Sequence, residues 1–257
     1  ACAIAAISDP ACLTTGVTLT QDIYTPNLHR PPFSSDTWAD ERPYAAWLGV
    51  GMEGRRVSAR ALRTVAIAVG VTGKPSLGEA MQDIAHHITA RWTTEAHGWE
   101  TQVGFQPGIV AGVRQSLLAA KLSAGGRGIF DLAPYAGVNV GNILTDAELG
   151  GKARLGINLS HPWDPRASRQ RPRWEFDVNA GGRLDYVAHN FSLDGTLIHP
   201  DRRVDRTPTV RQHEFGAELR IMKLSLAYRA MTRSREYSTG PNHFTWSSMS
   251  AGIEFFR

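Results

Sequence analysis

No stretch of about 18 apolar residues, the length a helix needs to cross a bilayer, occurs in this chain, although 42% of its 257 residues are hydrophobic. A helical membrane protein is excluded. A transmembrane barrel is not, because its strands alternate lipid-facing apolar with lumen-facing polar residues and hide the membrane signal in an average polarity, here a mean hydropathy of -0.25. Cysteine is scarce: Cys2 and Cys12 stand alone near the start, open to a small disulfide or to two free thiols, and they offer no metal spacing. There is no Gly-x-Ser-x-Gly elbow, which argues against a serine hydrolase of the α/β type. No His-Glu-x-x-His helix or Cys/His set is present for hydrolytic zinc. Internal repeats and low-complexity segments are lacking too. The net charge is +4 and the isoelectric point about 9.3, which suits an anionic partner. Nucleic acid is not the expected one, since no basic helix or aromatic RNA-binding segment gathers the arginines. A phosphorylated lipid is, because guanidinium binds phosphate bidentately. The chain opens on Ala1 without a basic leader, so an export signal is expected to have been removed or left out.

What is present is alternation between turn signals. From Arg42 onward Gly, Pro and Asn separate β-rich segments, with strands expected at 43–54, 60–72, 99–106, 109–122, 129–140, 144–159, 173–188, 208–220, 222–234 and 244–256. Residues 174–188 are the clearest. Phe176, Val178, Ala180, Leu184, Tyr186 and Ala188 share one parity, while Glu175, Asp177, Asn179, Arg183 and Asp185 take the other. A soluble sandwich would bury the apolar parity; a membrane barrel would expose it to lipid. Length favours the barrel, because a tilted membrane strand needs about 9–11 residues and a soluble strand about five or six. Met249, Ala251, Ile253 and Phe255, alternating with Ser250, Gly252, Glu254 and Phe256, give a terminal strand of the kind that completes closure. Trp38, Trp47, Trp163, Trp174 and Trp246 fall near strand ends, where an aromatic girdle would sit.

One segment departs from this period. Gly78 to Trp92 has helical spacing, with Met81, Ile84, Ala85 and Ile88 on a stripe expected to pack on the barrel rim. Gln82 and His86, four apart, are neighbours on one face.

Several passages then stand in a recognisable order. They are Gln21-Asp22-Ile23-Tyr24-Thr25-Pro26, then Asp40-Glu41-Arg42-Pro43-Tyr44-Ala45-Ala46-Trp47-Leu48, then the Gln82 to His86 turn with Gly98-Trp99-Glu100-Thr101-Gln102. Gly141-Asn142-Ile143-Leu144-Thr145, Arg154-Leu155-Gly156, Ala188-His189-Asn190-Phe191-Ser192-Leu193-Asp194-Gly195 and Ser234-Arg235-Glu236-Tyr237 follow. The ordered set, over roughly residues 14–257, resembles the lipid A 3′-O-deacylases of Gram-negative outer membranes. The resemblance implies an all-β fold, an integral outer-membrane antiparallel β-barrel of about 12 strands with a short rim helix. It also implies a monomer acting on lipopolysaccharide among outer-membrane lipids. In that family a histidine activates water against the 3′ acyloxyacyl ester of lipid A, with Ca2+ required. The matching position is His86, with Gln82 beside it, and imidazole is the side chain that titrates near neutral pH. Ca2+ would take oxygen ligands, and the resemblance does not give the full set.

The same resemblance makes Thr14 the turn threonine. It makes Glu95 the nearest candidate for a carboxylate that orients His86 or holds the metal, with Trp92 or Thr94 as alternatives by register. Arg30, just beyond the Tyr24-Thr25-Pro26 turn, is a candidate contact for an anionic headgroup and equally a solvated charge. The family's early Asn-Asp element has no placed counterpart, so residues 1–13 are expected to be atypical or truncated within an otherwise single domain. Arg166, Arg169, Arg171 and Arg173 would suit lipopolysaccharide phosphates if their loop lies on the outer rim, and would be a solvated turn otherwise. Two other readings stand beside the esterase: a catalytically inactive lipopolysaccharide-binding or structural barrel, and a porin-like channel.

Overall fold

A computed structural model describes residues 12–26, 40–89, 98–163 and 172–253. Eleven strands among these residues form one antiparallel sheet: β1 (Cys12–Tyr24), β2 (Ala45–Val57), β3 (Ala61–Thr72), β4 (Pro107–Leu117), β5 (Ala120–Ala124), β6 (Arg127–Gly141), β7 (Leu144–Leu159), β8 (Trp174–Asn190), β9 (Thr209–Ile221), β10 (Leu224–Ser234) and β11 (His243–Ile253). Each pairs with its neighbour in sequence, except that β4 reaches β6 directly and β5 adds to the lower part of β6. Two helices interrupt the meander, α1 (Gly78–Thr89) between β3 and β4 and the single-turn α2 (Phe191–Asp194) after β8. At about 3.3 Å per residue, the 13-residue strands β1, β2 and β9 exceed the roughly 25 Å apolar band of a membrane barrel even when tilted.

The sheet is inside out relative to a soluble protein. On β8 the apolar parity is open, with Phe176 39%, Val178 47%, Leu184 42% and Tyr186 61% exposed, while Glu175, Asp177, Asn179 and Asp185 are each 8% or less. Val65, Ile67 and Val69 on β3, Leu149, Leu155 and Ile157 on β7, and Leu224, Leu226 and Tyr228 on β10 repeat the pattern. An apolar belt running round the sheet is unfavourable in water but natural in lipid. The polar parity is satisfied within the lumen. Arg154 binds Asp131 through two nitrogens (2.6 and 3.1 Å) and reaches Glu175 at 3.3 Å; Arg220 also pairs with Glu175, at 2.9 Å. Higher in the lumen Arg114 forks onto Glu148. Pairing of this kind is what permits so many ionised side chains to leave water.

The two ends differ. One carries tight turns, such as the β5–β6 hairpin, where Gly125 and Gly126 both adopt positive φ as a two-residue turn of the favoured twist requires. The other carries α1, α2 and the long connections, the side that faces outward in barrels of this kind. The basic loop runs from Leu159 to Trp174, so its anchoring strand ends lie at the tight-turn end, away from α1. Of the two placements left open for the basic run, Arg173 takes the solvated-turn one, at the end opposite α1; Arg166, Arg169 and Arg171 lie outside the described residues.

Other expectations change as well. Segment 99–106 is not a strand; Trp99–Thr101 is a single 3-10 turn, and Val103 and Gln106 are buried in the mouth instead of joining a ladder. Residues 109–122 are broken after Leu117. Cys12–Tyr24 is a full strand, paired along its whole length with β2. Trp47 is no girdle residue: it is 2% exposed and packs inside the mouth with Ala45, Val103, Ile143 and Phe191. That cluster lies at the outer end of the lumen. Below it lies a cavity of about 320 Å³ lined by Asp22, Asn139, Asp146, Arg183, Asp185 and Arg233, among others.

Candidate active site

The register of β1 and β2 decides which side chains meet on which side of the wall. Tyr24 opposite Ala45 and Asp22 opposite Trp47 point into the lumen, so Ile23 opposite Ala46 and Gln21 opposite Leu48 point outward. On that outward surface Tyr44, Ala46 and Trp99 form a second buried cluster, joined by Ile23. The Tyr44 and Trp99 rings are 5.0 Å apart and tilted by 45°. Burial, and then the nearby Glu100, push the Tyr44 phenol up, so it serves as a neutral packing group.

Helix α1 is laid against this patch from outside the barrel. Gly78 is where it touches: a Cβ there would overlap that of Ala46 and come within 2.8 Å of the Trp99 ring, so only glycine permits so close an approach. Gln82, one turn on, accepts a hydrogen bond from the Trp99 indole N–H at 2.8 Å. Gln21 of β1 donates to the Ser76 carbonyl at 2.6 Å and ties the entry to the helix onto the wall. Gly78, Gln82 and His86 recur every four residues and share the wall-facing side. Among the described residues, His86 Nδ1 is buried without a hydrogen-bond partner, and so is Gln102 Oε1. A buried polar atom left unmatched is costly, and it marks a place where a ligand, water or reacting group completes the set.

The expected packing stripe is corrected here. Met81 and Ile84 are 39% and 51% exposed, and Ala85 is exposed with them, so they do not pack on the rim. The helix presents its polar Gln82–His86 face to the protein because the surface it meets is an outward face with an indole N–H to offer.

Of the other expected site residues, Thr14 is not brought to His86. It lies near the tight-turn end of β1, paired with Arg55 and about 23 Å along the strand from Gln21 at ~3.3 Å per residue. Arg30 and Glu95 lie outside the described residues. Among the described residues no three His, Cys, Asp or Glu side chains group as a metal site. The α1 carboxylates Glu79 and Asp83 are both exposed. Ca2+, which takes six to eight oxygens, is thus not matched by the described residues alone. Gln21, Trp99 and Gln102 are contributions that sequence reasoning did not single out, although the first lies in the Gln21 to Pro26 passage and the others in Gly98 to Gln102.

The loops around the site are clasped across the mouth. Arg42 donates to Glu236 at 3.1 Å and to the Ser192 hydroxyl at 2.9 Å, and its guanidinium lies 4.7 Å from the Tyr24 ring centre. The Tyr237 hydroxyl donates to Glu41 at 2.8 Å, and burial together with that acceptor pushes the phenol well up. Asp201 accepts from the Gly104 and Thr196 amides. Burial opposes its ionisation, but the Thr196 and Gly104 hydrogen bonds prevail and hold the carboxyl below its ordinary value.

A curled, inside-out antiparallel sheet with an apolar outer belt, a polar inner face and a helix laid on its outer wall is the architecture of an outer-membrane barrel protein. The model of the family described as "Outer membrane protein LpxR" matches residues 5–255, and the chain belongs to that family, the lipid A deacylases of the outer membrane. Among solved structures, LpxR from Salmonella typhimurium shares the fold with a TM-score of 0.78 at 21% identity, covering 95% of this chain and 84% of that one. The search of curated proteins found no match.

Proposed function

We propose that the chain hydrolyses the 3′ acyloxyacyl ester of lipid A, with His86 activating the water. The observation that carries this reading is the buried, unpartnered Nδ1 of His86, held on the lipid side of the wall at the end with the long loops. A substrate dissolved in the outer leaflet meets that face by lateral diffusion and needs no passage through the lumen. His86 takes a proton from water as its oxygen attacks the acyl carbonyl; the tetrahedral intermediate then expels the sugar alkoxide, which recovers the proton from the imidazolium. The products are a free acyloxyacyl acid and a 3′-hydroxyl on the lipid A sugar. Gln82 is a positioning residue: with its carbonyl oxygen committed to Trp99, it fixes the helical turn that carries His86. Ca2+, when bound, would supply Lewis-acid polarisation or hold a phosphate, and it enters here only through the family.

Mass spectrometry of lipid A from cells expressing the wild type and His86→Ala tests the reading. Loss of the 3′ acyloxyacyl group is expected with the wild type alone, and addition of EDTA to the purified protein is expected to stop turnover. Identical spectra from both strains would favour the inactive, lipopolysaccharide-binding barrel.

A further inference from the structure

Helix α1 has three faces. At about 100° per residue, Gly78, Gln82 and His86 occupy the wall face, bordered by Ala85 and Glu79; Met81 and Ile84 form one flank, and Asp83 and His87 the other. The first face is used by the barrel; the two flanks are exposed and chemically opposite. That division is what a helix needs when its axis lies in the plane of a membrane surface and its third side rests on protein. The apolar flank also has a neighbour that is already a lipid contact. α1 is seated on the upper ends of β1 and β2, and along those strands the outward side chains Leu19, Val50 and Met52 belong to the exposed apolar belt. Leu77, at positive φ immediately before the helix, is exposed as well and extends the belt toward Met81.

From this we infer that α1 is an interfacial helix of the outer leaflet, with Met81 and Ile84 inserted in the acyl layer and Glu79, Asp83 and His87 in water. Such helices sink their apolar side about 5–10 Å into the headgroup and acyl boundary. The wall-facing Gln82 and His86 are thereby held at the depth where acyl chains join their headgroups. The inference rests on the membrane setting of the barrel and not on the deacylase reading, since the measurement that tests it involves no turnover.

The test uses the full chain with Cys2→Ser and Cys12→Ser and one nitroxide-labelled cysteine at a time. Met81→Cys, Ile84→Cys and Asp83→Cys are compared with Val50→Cys as the belt reference, in vesicles of phosphatidylethanolamine, phosphatidylglycerol and lipopolysaccharide. Collision with oxygen, which partitions into lipid, is compared with collision with a water-soluble nickel chelate. Positions 81 and 84 are expected to give the high oxygen-to-nickel ratio of position 50, and position 83 a low one. Ratios at 81 and 84 as low as that at 83 would overturn the inference, whether or not the protein deacylates lipid A.

Discussion

Replacing Gly78 with alanine separates two opposing effects on α1. Alanine favours a helix over glycine by up to ~1 kcal/mol, which on its own would strengthen the element. The added Cβ, however, overlaps that of Ala46 and falls 2.8 Å from Trp99 Cη2, where carbon atoms ordinarily stand about 3.5–4.0 Å apart. Both neighbours are buried and cannot yield. Overpacking of this kind costs about 1–3 kcal/mol, so the steric effect wins and the helix lifts by roughly 1 Å. A misplacement of that size can lower a rate on the order of 100-fold. The assay is the time course of lipid A deacylation in vesicles, with amide exchange in α1 reporting its seating and heat-modifiable gel mobility reporting the barrel. Ala46→Gly added to Gly78→Ala removes the worse overlap and is expected to recover part of the loss. Full turnover in Gly78→Ala with unchanged exchange in α1 would refute the claim that this contact sets the position of His86.

The clasp, the lumen and the loop ties give further expectations. Arg42→Ala deletes two charge-assisted hydrogen bonds of about 1.5–3 kcal/mol each before relaxation and is expected to lower the unfolding midpoint in heat-modifiability gels; an unchanged midpoint would show the clasp to be dispensable. Since Asp201 has a depressed folded value, its contribution is present at neutral pH and is lost as pH falls below its ordinary 3.8. The Gly104 and Thr196 amides should therefore lose exchange protection in that range, after correction for intrinsic rates, and Asp201→Asn should abolish the pH dependence. Planar bilayers holding the folded protein should show no steady channel conductance, because Trp47, Ile143 and Phe191 pack together inside the mouth; a stable open channel would favour the porin reading.

The strand pattern was legible wherever a strict alternation of apolar and charged residues ran for more than about ten positions. β7 matches the expected 144–159 end for end, and β3, β8, β9 and β10 fall within two residues of expectation. β1 was hidden because threonines fill its inward parity (Thr14, Thr18, Thr20), and threonine reads equally as turn or strand. Segment 99–106 carried an aromatic and a β-branched residue, yet Trp99 packs on the outer wall and Val103 inside the mouth, burial that local propensity does not distinguish from a ladder. Gln82 and His86 were recognisable as neighbours from spacing alone. The side of α1 that meets protein was not, since an apolar stripe faces inward in water and outward in lipid, and the stripe itself does not say which solvent surrounds it. Thr14 was misplaced for the same reason that β1 was missed: with no strand assigned, its distance from the helix could not be measured.

The packed mouth carries a physiological corollary. An envelope defended by low permeability pays for each open pore in antibiotic and detergent entry, whereas a barrel with aromatic residues packed inside its mouth is suited to serve as a scaffold post. Cells could hold this protein at high copy number without weakening that barrier.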